Sequence, residues 1–144
     1  MSVPVALAHD YVTQRGGAER VVAIMAEAFP GAPLYTSLYD PEGTFAEFAS
    51  LDIHTSALNH IPVLRRDHRL ALPLLAPVVS RMTVDADVLL ASSSGWAHAM
   101  QCTGRKIVYC HAPARWLYQQ DRYLGPSEGS TTQRTRRLAA AVAL

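Results

Sequence analysis

The sequence predicts an α/β protein, a parallel sheet with helices on both faces, and three observations carry that expectation. Val3 to Ala8 is an almost wholly apolar run, as expected of a parallel strand covered on both sides. Strand-like and helix-like patterns alternate from there along the chain, which favours right-handed crossovers and a doubly wound sheet. The polar residues able to do chemistry fall just beyond the strand-like runs, where such sheets gather their ligands.

Taken in order, Val3 to Ala8 is the central strand. From Gly17, the apolar residues Ala18, Val21, Val22, Met25 and Phe29 recur at helical spacing, and "PGAP", Pro30 to Pro33, ends that helix. Leu34 to Leu38 reads as a second strand with "YDPEG" as its exit, Thr44 to Phe48 as one helical turn, and Asp52 to Ser56 as a third strand. Ala71, Leu74, Leu75, Val78 and Met82 mark one face of a further helix, and Pro73 and Pro77 predict that it is kinked or broken. Val88 to Ala91 is a strand, Gly95 to Gln101 a helix, Lys106 to Cys110 a strand, and Ala114 to Tyr123 a last short helix.

Composition narrows the function classes. A chain of 144 residues that is 49% hydrophobic and 17% charged can bury a real core. Its formal charge of +1 gives no field that would argue for nucleic acid, so an anion has to be recognised locally. Cys102 and Cys110 fit reduced thiols better than a disulfide framework, which favours a cytoplasmic setting. "MSVPVALAHDY" lacks the basic start of a signal peptide, and the longest uncharged apolar run, Leu70 to Val79, is too short to span a bilayer.

Two stretches invite a ligand. In "HDYVTQRGGAERVV", Gly16 and Gly17 stand where the strand pattern turns into the helix pattern. A glycine pair there either exposes helix-start N–H groups to an anion or serves a tight turn of positive φ. In "SSSG", Ser92 to Gly95, small hydroxyl residues at a helix start act as an N-cap or as a polar ligand contact. His9 and Asp10, Ser92 to Gly95, and His111 to Arg115 all follow strands. They are therefore expected to converge on one sheet edge.

Together, "HDYVTQRGGAERVV", "ADVLLASSSGWAHAM" and "RKIVYCHAPARWLY" resemble the N-terminal Rossmann-like domain of GT-B glycosyltransferases of family four, close to the mannosyltransferase-like members, over residues 4–125. The resemblance implies a retaining enzyme that moves a sugar from a nucleotide-diphosphate donor to a saccharide or lipid-linked acceptor, with no obligatory metal and no cofactor. It implies that Gly16 and Gly17 admit the donor phosphates. His111 would face the transferring sugar, donating a hydrogen bond or acting as imidazolium near the departing phosphate. His9, Asp10, Ser93, Ser94 and Arg115, placed at the strand ends, are expected to contact acceptor or line the cleft. The sequence ends in "TTQRTRRLAAAVAL" without the donor-binding half or its paired-glutamate motif. The expectation is therefore an acceptor-side domain over 1–125, with 126–144 as linker and the start of a truncated helix, unable to turn over substrate alone.

A non-catalytic module that binds saccharide or lipid head groups is the alternative. A receiver-type signalling domain would need a lysine at the exit of its last strand, whereas Lys106 lies at the entrance. "QRGGAE" also lacks the G-x-G-x-x-G of dinucleotide binding. The six histidines show no helical i, i+4 pair for a metal, and Cys110 and His111, adjacent on a strand, point to opposite faces. Arg65, Arg66 and Arg69 precede an apolar helix, so residues 65–82 can rest on an anionic membrane at its inner face, or form an ordinary core helix with a solvated start.

Overall fold

The structure is a computed structural model that describes residues 4–112. The expected helix Ala114 to Tyr123, Arg115 and the boundary near residue 125 lie outside the described residues. In chain order the regular elements are β1 (Val5–His9), α1 (Gly17–Ala28), β2 (Leu34–Thr36), β3 (Ile53–Thr55), α2 (Pro62–Arg66), α3 (Leu72–Val79), β4 (Thr83–Val84), β5 (Val88–Ser93), β6 (Gln101–Cys102) and β7 (Arg105–Cys110). Short 3-10 turns lie between several of them.

Five strands form one sheet in the order β3-β2-β1-β5-β7, and every pairing in it is parallel. β1 is central because its side chains are apolar in both directions. Leu7 is fully buried on one face against Val22 and Ala23 of α1, Leu34 and Phe48. Ala6 and Ala8 look the other way, toward Leu75 and Val79 of α3, Leu89, Ala91 and Trp96. Helices thus cover both faces. Alanines on the second face allow the proline-bearing helix to approach closely, and truncating a core leucine such as Leu7 would cost about 2–5 kcal/mol.

After β1 the chain runs outward through β2 and β3, then crosses back to β5 on the other side of β1. The direction of travel reverses between β1 and β5. In an open parallel sheet the crevice at the carboxyl ends of such a strand pair is where side chains and ligands meet. His9 pairs with Ser92 in register there.

Two helical expectations are corrected. The helix expected over residues 71–82 to be kinked or broken at its prolines runs unbroken as α3, Leu72–Val79, with Pro77 inside it; the break in the helical pattern comes before it, at Asp67. The Asp67 side chain accepts from the N–H of Arg69 and caps a 3-10 turn, His68–Ala71, that separates α2 from α3. Pro73 falls in the first turn of α3, where its missing N–H costs nothing. The helix expected from Gly95 to Gln101 is one 3-10 turn, Ala97–Ala99. The chain then leaves helical geometry at Met100, and Gln101 donates its N–H to Met82 at 2.8 Å as β6 pairs in parallel with β4.

Candidate functional site

Asp10 follows β1 directly and is 3% exposed. Its Oδ2 accepts from the N–H groups of Ser94 at 2.7 Å and Gly95 at 2.9 Å. Its Oδ1 accepts from those of Trp96 at 2.9 Å and Ala97 at 2.6 Å, and from the Ser93 hydroxyl at 3.2 Å. Four successive N–H groups at the exit of β5 therefore converge on one carboxylate. Such a backbone nest is suited to an anion, and here the anion is the protein's own. The cap expected from the serine hydroxyls comes instead from Asp10 across the strand pair. Asp10, expected to meet acceptor or line the cleft, spends both its oxygens on these protein donors.

Next to Asp10 lies a buried polar chain. His9, 2% exposed, places Nδ1 3.0 Å from the Ser92 carbonyl and 3.1 Å from the Ser92 hydroxyl. Its Nε2 faces Glu19 Oε1 at 3.8 Å. The Ser92 hydroxyl lies 2.7 Å from Nε2 of His111, whose backbone N–H donates to the Ser93 carbonyl at 3.0 Å. The His9 and His111 rings stand edge to face with centroids 6.4 Å apart. Burial, followed by the neighbouring His9, pushes the His111 imidazole below the usual histidine range, with Asp10 and Glu19 opposing. This favours neutral His111 at physiological pH and the hydrogen-bonding form over the imidazolium.

Glu19 sits in the first turn of α1, 1% exposed, with no hydrogen-bond partner for Oε2. Burial raises its carboxyl, but contacts with His9, with its own backbone N–H and with Gln14 outweigh that and hold it below the usual carboxylate range. The carboxylate is tucked under Gly16, where any Cβ would collide with Oε2. The positive-φ reading of the glycine pair is excluded, because Gly31 alone among the described residues has positive φ. Gly16 is the N-cap, extended at φ −106°, and no side chain caps the helix. A Cβ at Gly17 would meet nothing within 4 Å. The two glycines differ accordingly: Gly16 makes room for Glu19, while a side chain at Gly17 would meet no neighbouring atom.

The loop leading to that start is anchored on both sides. Arg15 Nε donates to the Thr44 carbonyl at 3.0 Å, and the Thr44 hydroxyl donates to the Gln14 carbonyl at 3.0 Å. This ties an exposed guanidinium to the approach of α1. On the other side, Thr13 bonds to His68 Nδ1 at 3.2 Å and Tyr11 stacks on the His68 ring at 4.2 Å.

Of the residues singled out from the sequence, His9, Asp10, Ser93 and His111 are brought together in this crevice, with Gly16 and Gly17 beside them through Glu19. Ser93 is buried and spends its hydroxyl on Asp10 and on His98 Nδ1 at 3.1 Å, whereas the side chain of Ser94 is exposed. Arg115 lies outside the described residues. The sequence reading missed Glu19, although a glutamate at the third position of a helix is a known partner of the N-cap. It also gave Ser92 no role of its own. Among the described residues no group of three or more His, Cys, Asp or Glu side chains could hold a metal ion. Comparison with protein-family models, with curated proteins and with solved structures found no match to this chain.

Proposed function

We propose that the chain is the acceptor-side part of a retaining glycosyltransferase of the GT-B type, which transfers a hexose from a nucleotide-diphosphate donor to a saccharide or lipid-linked acceptor. The observation that carries this reading is the start of α1, which no side chain caps and where a Cβ at Gly17 would meet nothing within 4 Å, on the same sheet edge as His111, which bonds to Ser92. Departing phosphate needs positive potential without a proton to lose. Helix-start N–H groups and the anchored Arg15 supply it. A transferring sugar needs a directional donor, and His111 supplies one. Chemistry of this kind requires phosphate and sugar contacts at once, so residues 1–144 alone are expected to bind without measurable transfer.

Titration of the 15N-labelled chain with nucleoside-diphosphate sugars tests the proposal. The expected result is movement of the Gly17 and Ala18 amides and of the His111 ring. Gly17→Val should weaken the binding about tenfold, the scale of one lost charge-assisted hydrogen bond. Shifts with free saccharide and none with the nucleotide sugar would assign the crevice to non-catalytic saccharide or lipid-head-group binding.

A lipid-linked acceptor would suit peripheral contact through residues 65–82. Arg66 and Arg69 are exposed beside exposed Val63, Leu70 and Leu74. No helix among the described residues is long and apolar enough to cross a membrane. Replacing Arg65 and Arg66 by Ser should reduce co-sedimentation with anionic vesicles, and unchanged binding would remove the membrane from the proposal.

A further inference from the structure

We propose that Ser92 is a positioning residue that fixes the tautomer of His111, so that His111 presents its Nδ1–H to whatever occupies the crevice. The inference rests on the reading that His111 faces ligand, and it follows from counting hydrogens along the buried chain.

The Ser92 carbonyl can only accept, so His9 Nδ1, 3.0 Å away, must carry a hydrogen. That N–H also points at the Ser92 hydroxyl oxygen at 3.1 Å, which makes the oxygen an acceptor on the His9 side. Ser92 is fully buried, and its own hydroxyl hydrogen therefore needs an acceptor within the protein. His111 Nε2, at 2.7 Å, is the acceptor the structure offers. A hydrogen on Nε2 would force two N–H groups onto one hydroxyl oxygen and leave the hydroxyl hydrogen buried without a partner. Nε2 is therefore bare, and the neutral ring carries its hydrogen on Nδ1.

His111 Nδ1 makes no hydrogen bond to any described residue. It is the donor left to the crevice. The direction is set at His9, where the Ser92 carbonyl holds the hydrogen on Nδ1, while Glu19 Oε1 lies 3.8 Å from Nε2, too far for a hydrogen bond. Ser92 passes that polarity to His111 through one hydroxyl. A Ser92→Ala change keeps the strand and its carbonyl but removes the hydroxyl, which frees His111 to take either tautomer. Ser92→Thr keeps a hydroxyl at the same place.

Long-range 15N–1H correlation spectra of the histidine rings, recorded on the labelled chain without substrate at neutral pH, read the tautomer directly. The expected result is His111 protonated at Nδ1 in the wild type, a shift of at least twofold toward the Nε2–H form in Ser92→Ala, and restoration in Ser92→Thr. A wild-type His111 protonated at Nε2 overturns the proposal, and this reading needs no variant to fold. An unchanged tautomer in a folded Ser92→Ala protein overturns it as well. With no nucleotide sugar in the sample, either failure is separate from a failure of the transferase reading, which the nucleotide-sugar titration decides.

Discussion

Two backbone nests open on the same edge of the sheet, and the protein treats them in different ways. In the turn after β5, the N–H groups of residues 94–97 all go to the carboxylate of Asp10. At the start of α1 no side chain caps the helix, and a Cβ at Gly17 would meet no neighbouring atom within 4 Å. Both look like anion sites in the sequence. The second is answered only in part: Asp10 does not reach it, and Glu19 in its first turn engages its own N–H while leaving Oε2 without a partner. A small polar turn at a strand end thus stays available to a ligand only where the fold does not answer all of its donors.

The largest test of this difference is Asp10→Ala. It would leave four backbone donors without an acceptor, two of them, on Trp96 and Ala97, on buried residues. It would also remove one of the two side-chain partners of the Ser93 hydroxyl, leaving His98. Desolvated donors cost about 1–3 kcal/mol each, with partial relief by water, so the expected loss is about 3–5 kcal/mol, a large share of a domain's stability. Urea unfolding measures it. A loss below about 1 kcal/mol would mean that water replaces the carboxylate freely and that the first nest is as accessible as the second.

The glycine pair gives an intermediate effect with a built-in control. Gly16→Ala pushes its Cβ against Glu19 Oε2, a side chain with little room to retreat, and should cost about 1–3 kcal/mol as a local overpacking. Gly17→Ala adds a methyl to open space at a helical position and should change stability by no more than about 1 kcal/mol, with the sign toward gain. Thermal melts of the two variants compare them directly. Equal costs would show that the open space at Gly17 is used by the fold itself.

Much of the fold was legible because the sheet is built from runs whose burial leaves little choice. Val5 to His9 and Val88 to Ser93 are apolar or small at nearly every position, and pairing between them follows. The segment from Gly95 to Gln101 was misread as a helix because its pattern allows one, while two long-range facts decide against it. Asp10, about 85 residues earlier in the chain, takes the first N–H groups, and Met82 takes the N–H of Gln101. Local propensity carries no trace of either partner. The site was legible in outline for a related reason: strand ends can be located from hydrophobic runs, so His9, Asp10, Ser93 and His111 could be placed on one edge. Their inward or outward orientation could not. Three consecutive serines read alike, yet Ser92 faces the two histidines, Ser93 faces Asp10 and His98, and Ser94 is exposed.

The smallest expected effect is on acid stability, and it separates the two nests by the carboxylate near each. Glu19 is held below the usual carboxylate range in the folded chain, so at mildly acidic pH the unfolded chain binds a proton there before the folded one does. Its contribution is complete above the ordinary glutamate range and is lost as pH falls through its own lower value. His68, lowered by burial and then by Arg69, and His111, lowered by burial and then by His9, act in the same direction higher on the scale. Each resists protonation when folded, so stability declines as pH drops from the ordinary histidine range through their lowered values. Melting temperature against pH should therefore fall in two stages, the upper from the histidines and the lower from Glu19. His68→Phe, which keeps the stack on Tyr11, should shrink the upper stage, and Glu19→Gln should flatten the lower one. At neutral pH, Glu19→Gln is expected to cost on the order of 1 kcal/mol, well below Asp10→Ala, because no row of N–H groups depends on that carboxylate. A neutral-pH loss as large as that of Asp10→Ala would make Glu19 the internal anion of α1, and the distinction between a filled nest and a partly answered one would disappear.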